Sequence, residues 1–320
     1  MGKWRLHCGL SLLLSFVSAT SASAVPQLVR NFGAHGSRPG ELYNPIAIAV
    51  DRGYVYVLDP TDAHVSVFDT DGRFIRRWGS SGGREGQFDV PRDIAVVNDI
   101  VFVADEFNHR VQAFSDIGMF LGAHQWGSNR YIISVERGPW GLLFILNAGQ
   151  TDAKVEVWLA GNAASPMSYL REFNLRSAMP AHNTPWHLAV DAKDNRLYVT
   201  CVSEEIVQVY TLDGEFLYQF GPSGSADDRF GTPSGIAVGP GGNLFIKSAA
   251  QRVNVYSPGG QPLEFWSFGQ TPNRSWGEAT FDATTGYLFV VDEQESVVHE
   301  YAFPVGVHTA TWGGLKQRFR

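Results

Sequence analysis

The sequence predicts an all-β protein, a six-bladed β-propeller of four-stranded antiparallel blades. The first observation is composition: among 320 residues there are 34 Gly and 16 Pro, with 13% aromatic and only 18% charged residues. This balance favours many short strands joined by tight turns around a large core. The second observation is a repeat that fills the chain. One short sheet cannot bury both of its faces alone, whereas sheets packed radially give each sheet two neighbours.

The repeat is a unit of two apolar runs, a polar break and a third apolar run. The copy "PRDIAVVNDIVFVADEFNHRVQAF" begins at Pro91. Similar copies begin at Pro45, Pro185 and Pro233, and two degenerate copies begin at Arg130 and Trp276. We expect the aspartates at strand ends to accept hydrogen bonds from turn N–H groups; these are Asp51, Asp59, Asp105 and Asp292. Repetition over the whole chain indicates one domain rather than several.

A fourth strand follows most copies, as in "RFIRRWGSSGG" after the first. The first blade is therefore predicted to use strands near 46–50, 54–58, 64–69 and 73–78. The N-terminal segment "LVRNFGAHGSRPGELYNP" matches the end of a repeat. We expect residues 28–33 to complete the last blade and close the ring, which removes an exposed sheet edge. The C-terminal "HTATWGG" also has the pattern of a fourth strand, so the sequence leaves the closing terminus open.

Residues 1–24 have the pattern of a cleavable secretory signal. Lys3 and Arg5 precede the apolar run Leu10–Val17, and the segment ends in Ala22-Ser23-Ala24. This order of basic, apolar and small residues is typical of export, and the run is too short to span a bilayer. We therefore expect a secreted or periplasmic protein with a single propeller domain over residues 25–320.

Removal of the signal makes the protein more acidic and leaves one thiol. The formal charge of −7 becomes −9 when Lys3 and Arg5 are lost. An acidic surface argues against sequence-independent binding of nucleic acid, which depends on basic side chains. Cys8 leaves with the signal, so Cys201 remains without a partner for an internal disulfide.

The best copies carry a recognisable motif. P-x-x-I-A-V-D is followed by Y-V-x-D and then N-x-R-V-Q-x-F, and the second copy has Asp105, Asn108, Arg110, Val111 and Gln112 in place. This pattern resembles the NHL repeat over about residues 27–313, and the resemblance implies a six-bladed propeller. Proteins of this family include RNA-binding modules, protein-binding modules and the lyase that completes peptide amidation.

Functional residues are expected where the copies differ, at the mouth of the central channel where each first strand begins. The two positions after each leading residue are Ile46/Ala47, Arg92/Asp93, Tyr131/Ile132, Trp186/His187, Ser234/Gly235 and Gly277/Glu278. The candidate ligand-binding residues are Arg92, Asp93, Tyr131, Trp186, His187 and Glu278. Such a ring suits a polar or anionic ligand. The alternative is a solvated rim in which Arg92 pairs with Asp93 or a neighbour.

Catalytic motifs are scarce. The sequence has no H-E-x-x-H, no G-x-S-x-G and no phosphate-binding Gly-rich loop. The resemblance to the amidating lyase implies a metal held by histidines of different blades, with a catalytic Arg and Tyr, for which Arg92, Tyr131 and His187 are suitable. However, Trp186 stands where a histidine would follow the repeat Pro, and the disulfides of that lyase cannot form.

Two functions remain open from the sequence. The first is a secreted, monomeric binding module that recognises a protein, peptide or glycan on the channel face. The second is a metal-dependent lyase or hydrolase of the amidating-lyase or lactonase-like propeller type, with a divalent metal in the central channel. Two or more histidines that converge in the channel would favour the second function, because a metal needs convergent ligands.

Overall fold

The protein is a six-bladed propeller. The computed structural model describes residues 26–176, 184–221, 230–248, 252–267 and 277–303. Within them, 24 strands form six separate four-stranded antiparallel sheets. The predicted all-β propeller is confirmed. The signal segment 1–24 and the C-terminal "HTATWGG" lie outside the described residues.

Blades 1 to 3 follow one another along the chain. Blade 1 contains β2 to β5, which span Ala47–Asp51, Tyr54–Asp59, His64–Asp69 and Phe74–Trp78. Blade 2 contains β6 to β9, which span Pro91–Val97, Ile100–Asp105, Arg110–Ser115 and Phe120–Gln125. Blade 3 contains β10 to β13, which span Arg130–Arg137, Leu142–Gly149, Ala153–Asn162 and Ser165–Asn174.

Blades 4 to 6 continue the ring. Blade 4 contains β14 to β17, which span Pro185–Asp191, Arg196–Cys201, Ile206–Thr211 and Phe216–Phe220. Blade 5 contains β18 to β21, which span Pro233–Val238, Leu244–Ser248, Arg252–Tyr256 and Pro262–Ser267. Blade 6 contains β22 to β24, which span Ala279–Phe281, Leu288–Asp292 and Val297–Ala302, and is completed by β1, Gln27–Phe32.

Helix is scarce in the described part of the chain. It is limited to the single 3₁₀ turns Glu106–Asn108, Pro139–Gly141 and Pro240–Gly242. Within the described ranges, none of the helical turns could span a lipid bilayer.

Each interface between neighbouring blades contains an apolar core. Six buried clusters occur in the described residues, one for each pair of neighbours. Between blades 1 and 2, for example, Tyr56 and Leu58 pack with Val101, Val103 and Phe114. The alternating apolar residues of each sheet therefore face a neighbouring blade on both sides, as the fold requires.

The repeated aspartates at the ends of second strands have a structural role. Asp59 Oδ2 accepts hydrogen bonds from the backbone N–H of Tyr43 at 2.6 Å and of Asn44 at 3.0 Å. Asp105 accepts one from the N–H of Asp89 at 2.8 Å and one from Arg110 Nε at 2.8 Å. These carboxylates hold the segment that enters the first strand against the second strand of the same blade. The expectation from the sequence is confirmed for Asp59 and Asp105, whereas Asp51 accepts from Arg137 Nη1 of blade 3 at 2.7 Å.

The N-terminal strand closes the ring. β1 pairs antiparallel with β24 from Gln27 opposite Ala302 to Phe32 opposite Val298. The Phe32 ring is buried and lies 5.1 Å from the Phe68 ring of blade 1. Residues far apart in sequence thus share one sheet and one core, and the predicted pairing of the N-terminal segment with the last blade is confirmed.

We predict that Phe32→Ala destabilises the protein by about 3–5 kcal/mol, because it opens a cavity between blades 6 and 1. Leu28→Ala in the same strand is the matched control, since Leu28 is 51% exposed and should lose less than about 0.5 kcal/mol. Urea unfolding measures both changes. Equal losses in the two variants would show that the Phe32 contact does not stabilise the closure.

Candidate channel site

A bulge at the start of the first strand separates mouth residues from channel residues. In β6, Pro91 lies opposite Asp105 and Asp93 lies opposite Ala104, so Arg92 has no cross-strand partner. In β14 the same irregularity leaves Trp186 between Pro185 and His187. The bulged residues Arg92 and Trp186 line a cavity at the mouth, whereas Asp93 and His187 line the channel itself.

The same bulge corrects the sequence alignment of blade 3. In β10, Ile132 lies opposite Asn147 and Ser134 opposite Leu146, so Ile133 is the bulged residue. Ile133 and Ser134, rather than Tyr131 and Ile132, therefore correspond to Arg92 and Asp93. Blade 3 lacks the leading proline, so the sequence could not show this register. The Tyr131 ring instead packs edge-on against the His109 ring at 5.6 Å.

We call the six equivalent channel positions the acceptor ring; they are Ala47, Asp93, Ser134, His187, Gly235 and Glu278. Three of these side chains accept a backbone N–H of the next blade. Asp93 Oδ2 accepts from Val135 at 2.9 Å, Ser134 Oγ from Leu188 at 3.2 Å, and Glu278 Oε2 from Ile48 at 3.4 Å. The ring therefore joins neighbouring blades as well as facing the channel.

Three acceptor-ring residues converge within the channel. His187 Nδ1 lies 3.1 Å from Glu278 Oε1 and 3.6 Å from Asp93 Oδ2. All three residues are buried, and one ligand atom of each lies within 4.8 Å of the others. They come from blades 2, 4 and 6, so alternate blades place them around one point.

Burial makes the ionised form of these carboxyl groups unfavourable. It raises the pKa of Asp93 to about 8, with a further rise from the charge of Glu278 and an opposing effect of His187. Burial also raises the pKa of Glu278 well above its usual range. Nearby Lys247 is fully buried, and burial lowers its pKa to about 7. At neutral pH the cluster therefore holds a proton unless a cation offsets its charge.

The cluster has the donors of a divalent metal site. One imidazole nitrogen and two carboxylate oxygens suit Zn²⁺ or Mn²⁺ in type and number, with positions left for other ligands. Within the described residues His187 is the histidine of this site, so the several histidines implied by the amidating-lyase resemblance do not converge here.

A second acidic group is structural. Asp292 accepts the turn N–H groups of Gln294 and Glu295, and His299 Nδ1 lies 2.8 Å from Asn31 Oδ1 of the closing strand. The hydrogen bonds of Asp292 in blade 6 correspond to those that Asp105 accepts in blade 2.

The mouth cavity has a volume of about 270 Å³ and is lined by Arg92, Trp186, Glu278 and Glu293, among others. Arg92 Nε donates to Glu106 Oε2 at 2.6 Å, and its guanidinium carbon lies 4.4 Å from the centre of the Trp186 ring. Arg92 is thus paired with a neighbour, Glu106, as the alternative from the sequence allowed, and not with Asp93. Neither Nη group of Arg92 makes a hydrogen bond within the described residues.

The opposite end of the channel forms a second space, which we call the far chamber. It has a volume of about 360 Å³ and is lined by residues of all six blades. Asp93, His187 and Glu278 lie at its inner end, and Glu278 also borders the mouth cavity. Glu136 lines this chamber as well. Sequence reasoning missed Glu136 because the register of blade 3 was displaced.

The comparisons with known proteins show the fold. No protein-family model and no curated protein sequence matches this chain. A streptogramin B lyase structure matches with a TM-score of 0.60 and 12% identity, over 86% of this chain and 98% of that one. The WD40 propeller domain of Doa1 matches with a TM-score of 0.59 and 12% identity, over 87% of this chain and 97% of that one. Virginiamycin B lyase from Staphylococcus aureus matches with a TM-score of 0.58 and 12% identity, over 88% of this chain and 100% of that one.

These neighbours include enzymes and a WD40 domain, a propeller type that often mediates protein interaction. At 12% identity the likeness extends to the fold alone. The site chemistry must therefore separate the candidate functions.

We predict that the metal-free protein loses stability as pH rises from about 4 to 8. The folded-state pKa of Asp93 is about 8 and its unfolded value is 3.8, so the folded state binds more protons across this window. Asp93→Asn removes this titration and should reduce the loss between pH 5 and 8 by about 1–3 kcal/mol. Urea unfolding in EDTA measures the effect, with the exposed Asp116→Asn as control. Parallel pH profiles for wild type and Asp93→Asn would contradict the prediction.

Proposed function

We propose that the protein is a secreted or periplasmic propeller of the NHL type that binds a protein, peptide or glycan at the mouth of its central channel, and that it acts as a monomer. The observation that supports this function best is the arrangement of Arg92. Its guanidinium is positioned by Glu106 and Trp186, and its two Nη groups have no hydrogen bond to a described residue. The predicted signal over residues 1–24 supports export.

The geometry of Arg92 suits an anionic group of the ligand. A guanidinium fork can donate two parallel hydrogen bonds to a carboxylate or a phosphate. Contacts with Glu106 and the Trp186 ring restrict the side chain before a ligand arrives, so less conformational entropy is lost on binding. The Arg92 side chain is 27% exposed, which leaves it accessible.

Apolar groups around the mouth support a macromolecular partner. Tyr43, Val90 and Phe107 are 45%, 38% and 52% exposed, and Val90 lines the mouth cavity. Val90 also has φ 49°, an unfavourable conformation for a β-branched residue. Backbone strain of this kind is concentrated at binding and catalytic sites. An exposed apolar rim beside a charged anchor fits a peptide segment better than a free inorganic ion.

We predict that acidic peptides selected from a random display library on the wild-type protein lose at least about tenfold in affinity for Arg92→Ala, because a charge-assisted hydrogen bond is lost. Arg92→Lys keeps the charge without the fork and should recover only part of the affinity. Isothermal titration of the selected peptides measures these effects.

Arg84→Ala is the matched control, because Arg84 is an exposed arginine in the loop that leads to the same first strand. It should leave the affinity unchanged. Selected peptides that bind wild type and Arg92→Ala equally would exclude the mouth site. Glycans that carry carboxylates are tested in the same way.

The second candidate function is a metal-dependent lyase or hydrolase, and the Asp93–His187–Glu278 cluster favours it. These three residues would hold a divalent ion next to both channel cavities. Such an ion polarises a carbonyl group or lowers the pKa of bound water. Arg92 would then orient an anionic part of the substrate at the mouth.

We predict that the EDTA-treated protein binds one equivalent of Mn²⁺, measured by electron paramagnetic resonance of the free ion. His187→Ala should weaken this binding at least about tenfold, because one of three ligands is lost. His64→Gln is the control, since His64 lies at the start of a third strand in blade 1. Absence of stoichiometric Mn²⁺ and Zn²⁺ binding would exclude this second function and leave the binding function standing.

A further inference from the structure

The far chamber contains a position at which one blade has a carboxyl side chain and the other five blades have none. Two residues after the acceptor ring, four blades have alanine: Ala49, Ala95, Ala189 and Ala237. Blade 6 has Thr280, and blade 3 has Glu136. Each of the six lies opposite an aromatic residue of the second strand, namely Tyr56, Phe102, Tyr198, Phe245, Phe289 and Phe144. The positions are therefore equivalent, and we call them the alanine ring.

All six members of the alanine ring line the far chamber. Glu136 therefore places a carboxyl group among the methyl groups of the alanine residues. No hydrogen bond joins this carboxyl to another described residue. The neighbouring cation, Arg137, is engaged elsewhere, because its Nη1 donates to Asp51 Oδ1 of blade 1 at 2.7 Å. The described ring thus presents one carboxyl group without a bound partner.

The electrostatics of the chamber favour a positive ligand. Burial raises the pKa of Glu136 to about 8; His187 and Arg137 oppose this rise, and Asp93 and Glu278 add to it. A cation beside Glu136 would stabilise the ionised carboxylate and offset the neighbouring acidic groups.

We propose that the far chamber binds a small organic ammonium ion, with the ammonium group donating hydrogen bonds to Glu136 and the alkyl part packing against the methyl groups of the alanine ring. The volume of about 360 Å³ lies in the range of small-molecule sites. A divalent metal is less suited to this level of the channel, since a metal needs several convergent ligands. This site is independent of the mouth site.

An exposed aromatic residue stands beside the chamber. Pro139 lines it, and Trp140 follows in the same 3₁₀ turn with 85% of its surface exposed. Trp is the side chain that attracts organic cations most strongly through its ring face.

The test uses n-butylammonium as the probe and n-butanol as its neutral counterpart, both titrated calorimetrically into the mature protein in EDTA at neutral pH. We expect wild type to bind n-butylammonium and not n-butanol. Glu136→Ala installs the residue that four blades already have, and should weaken binding at least about tenfold. Glu136→Gln keeps the shape and should behave in the same way, which separates loss of charge from a change in folding.

The controls use residues outside the chamber. Glu85→Ala removes an exposed carboxylate in the loop before β6 and should leave binding unchanged. Arg92→Ala should also retain it, so a failure here is distinct from a failure of the mouth site. The proposal is overturned if wild type does not bind n-butylammonium at millimolar concentration, if both Glu136 variants bind it as wild type does, or if n-butanol binds equally well. In a second titration without EDTA, binding of Ca²⁺ or Mn²⁺ that Glu136→Gln abolishes would also overturn it in favour of a metal site.

Discussion

Every blade has to bury both of its faces, and this constraint governs the rest of the structure. A four-stranded sheet with apolar residues on both sides is stable only between two neighbours, so six sheets must form a closed ring. Closure depends on β1, which joins blade 6 and places Phe32 against Phe68 of blade 1. Because the ring closes, the six first strands surround one axis, and their side chains meet in a channel that no single blade could form.

The side chains that line the channel have two roles. They accept backbone hydrogen bonds between neighbouring blades, and they form the candidate site. Asp93, Ser134 and Glu278 accept backbone N–H groups of the following blade. Two of these acceptors are carboxylates, and His187 lies between them. A buried acceptor that only joined blades could be a hydroxyl, as in blade 3. The presence of two carboxyl groups with an imidazole therefore exceeds what the backbone requires, and it supports the proposal of a metal site at the centre of the channel.

The two ends of the channel differ in the side chains that line them. At the mouth, Arg92 is stacked on Trp186 and an apolar rim is exposed. In the far chamber, Glu136 faces a wall of alanine methyl groups. The cluster of Asp93, His187 and Glu278 separates these spaces, and Glu278 borders both. The two ends therefore present different groups to a ligand, namely the Arg92 guanidinium at the mouth and the Glu136 carboxyl group in the far chamber.

The sequence by itself determined the number of blades and the strands of blade 1. It could do so because strand alternation and turn residues are local and recur in every repeat. It also predicted that the N-terminal segment joins the last blade, but it left the closing terminus open between the two ends of the chain. Arg92, Asp93, Trp186, His187 and Glu278 were also found from the sequence, since each differs from its counterparts at one repeat position. Their role in ligand binding stays a prediction.

Only the tertiary structure decided how the blades meet. Arg92 pairs with Glu106 because of the path that a turn takes. Asp93, His187 and Glu278 converge because the ring closes. The bulge in β10 moved Tyr131 away from the channel and placed Ser134 and Glu136 inside it. A one-residue change of register moves each side chain to the other face of a strand, and a degenerate copy without its leading proline carries no local signal for the bulge.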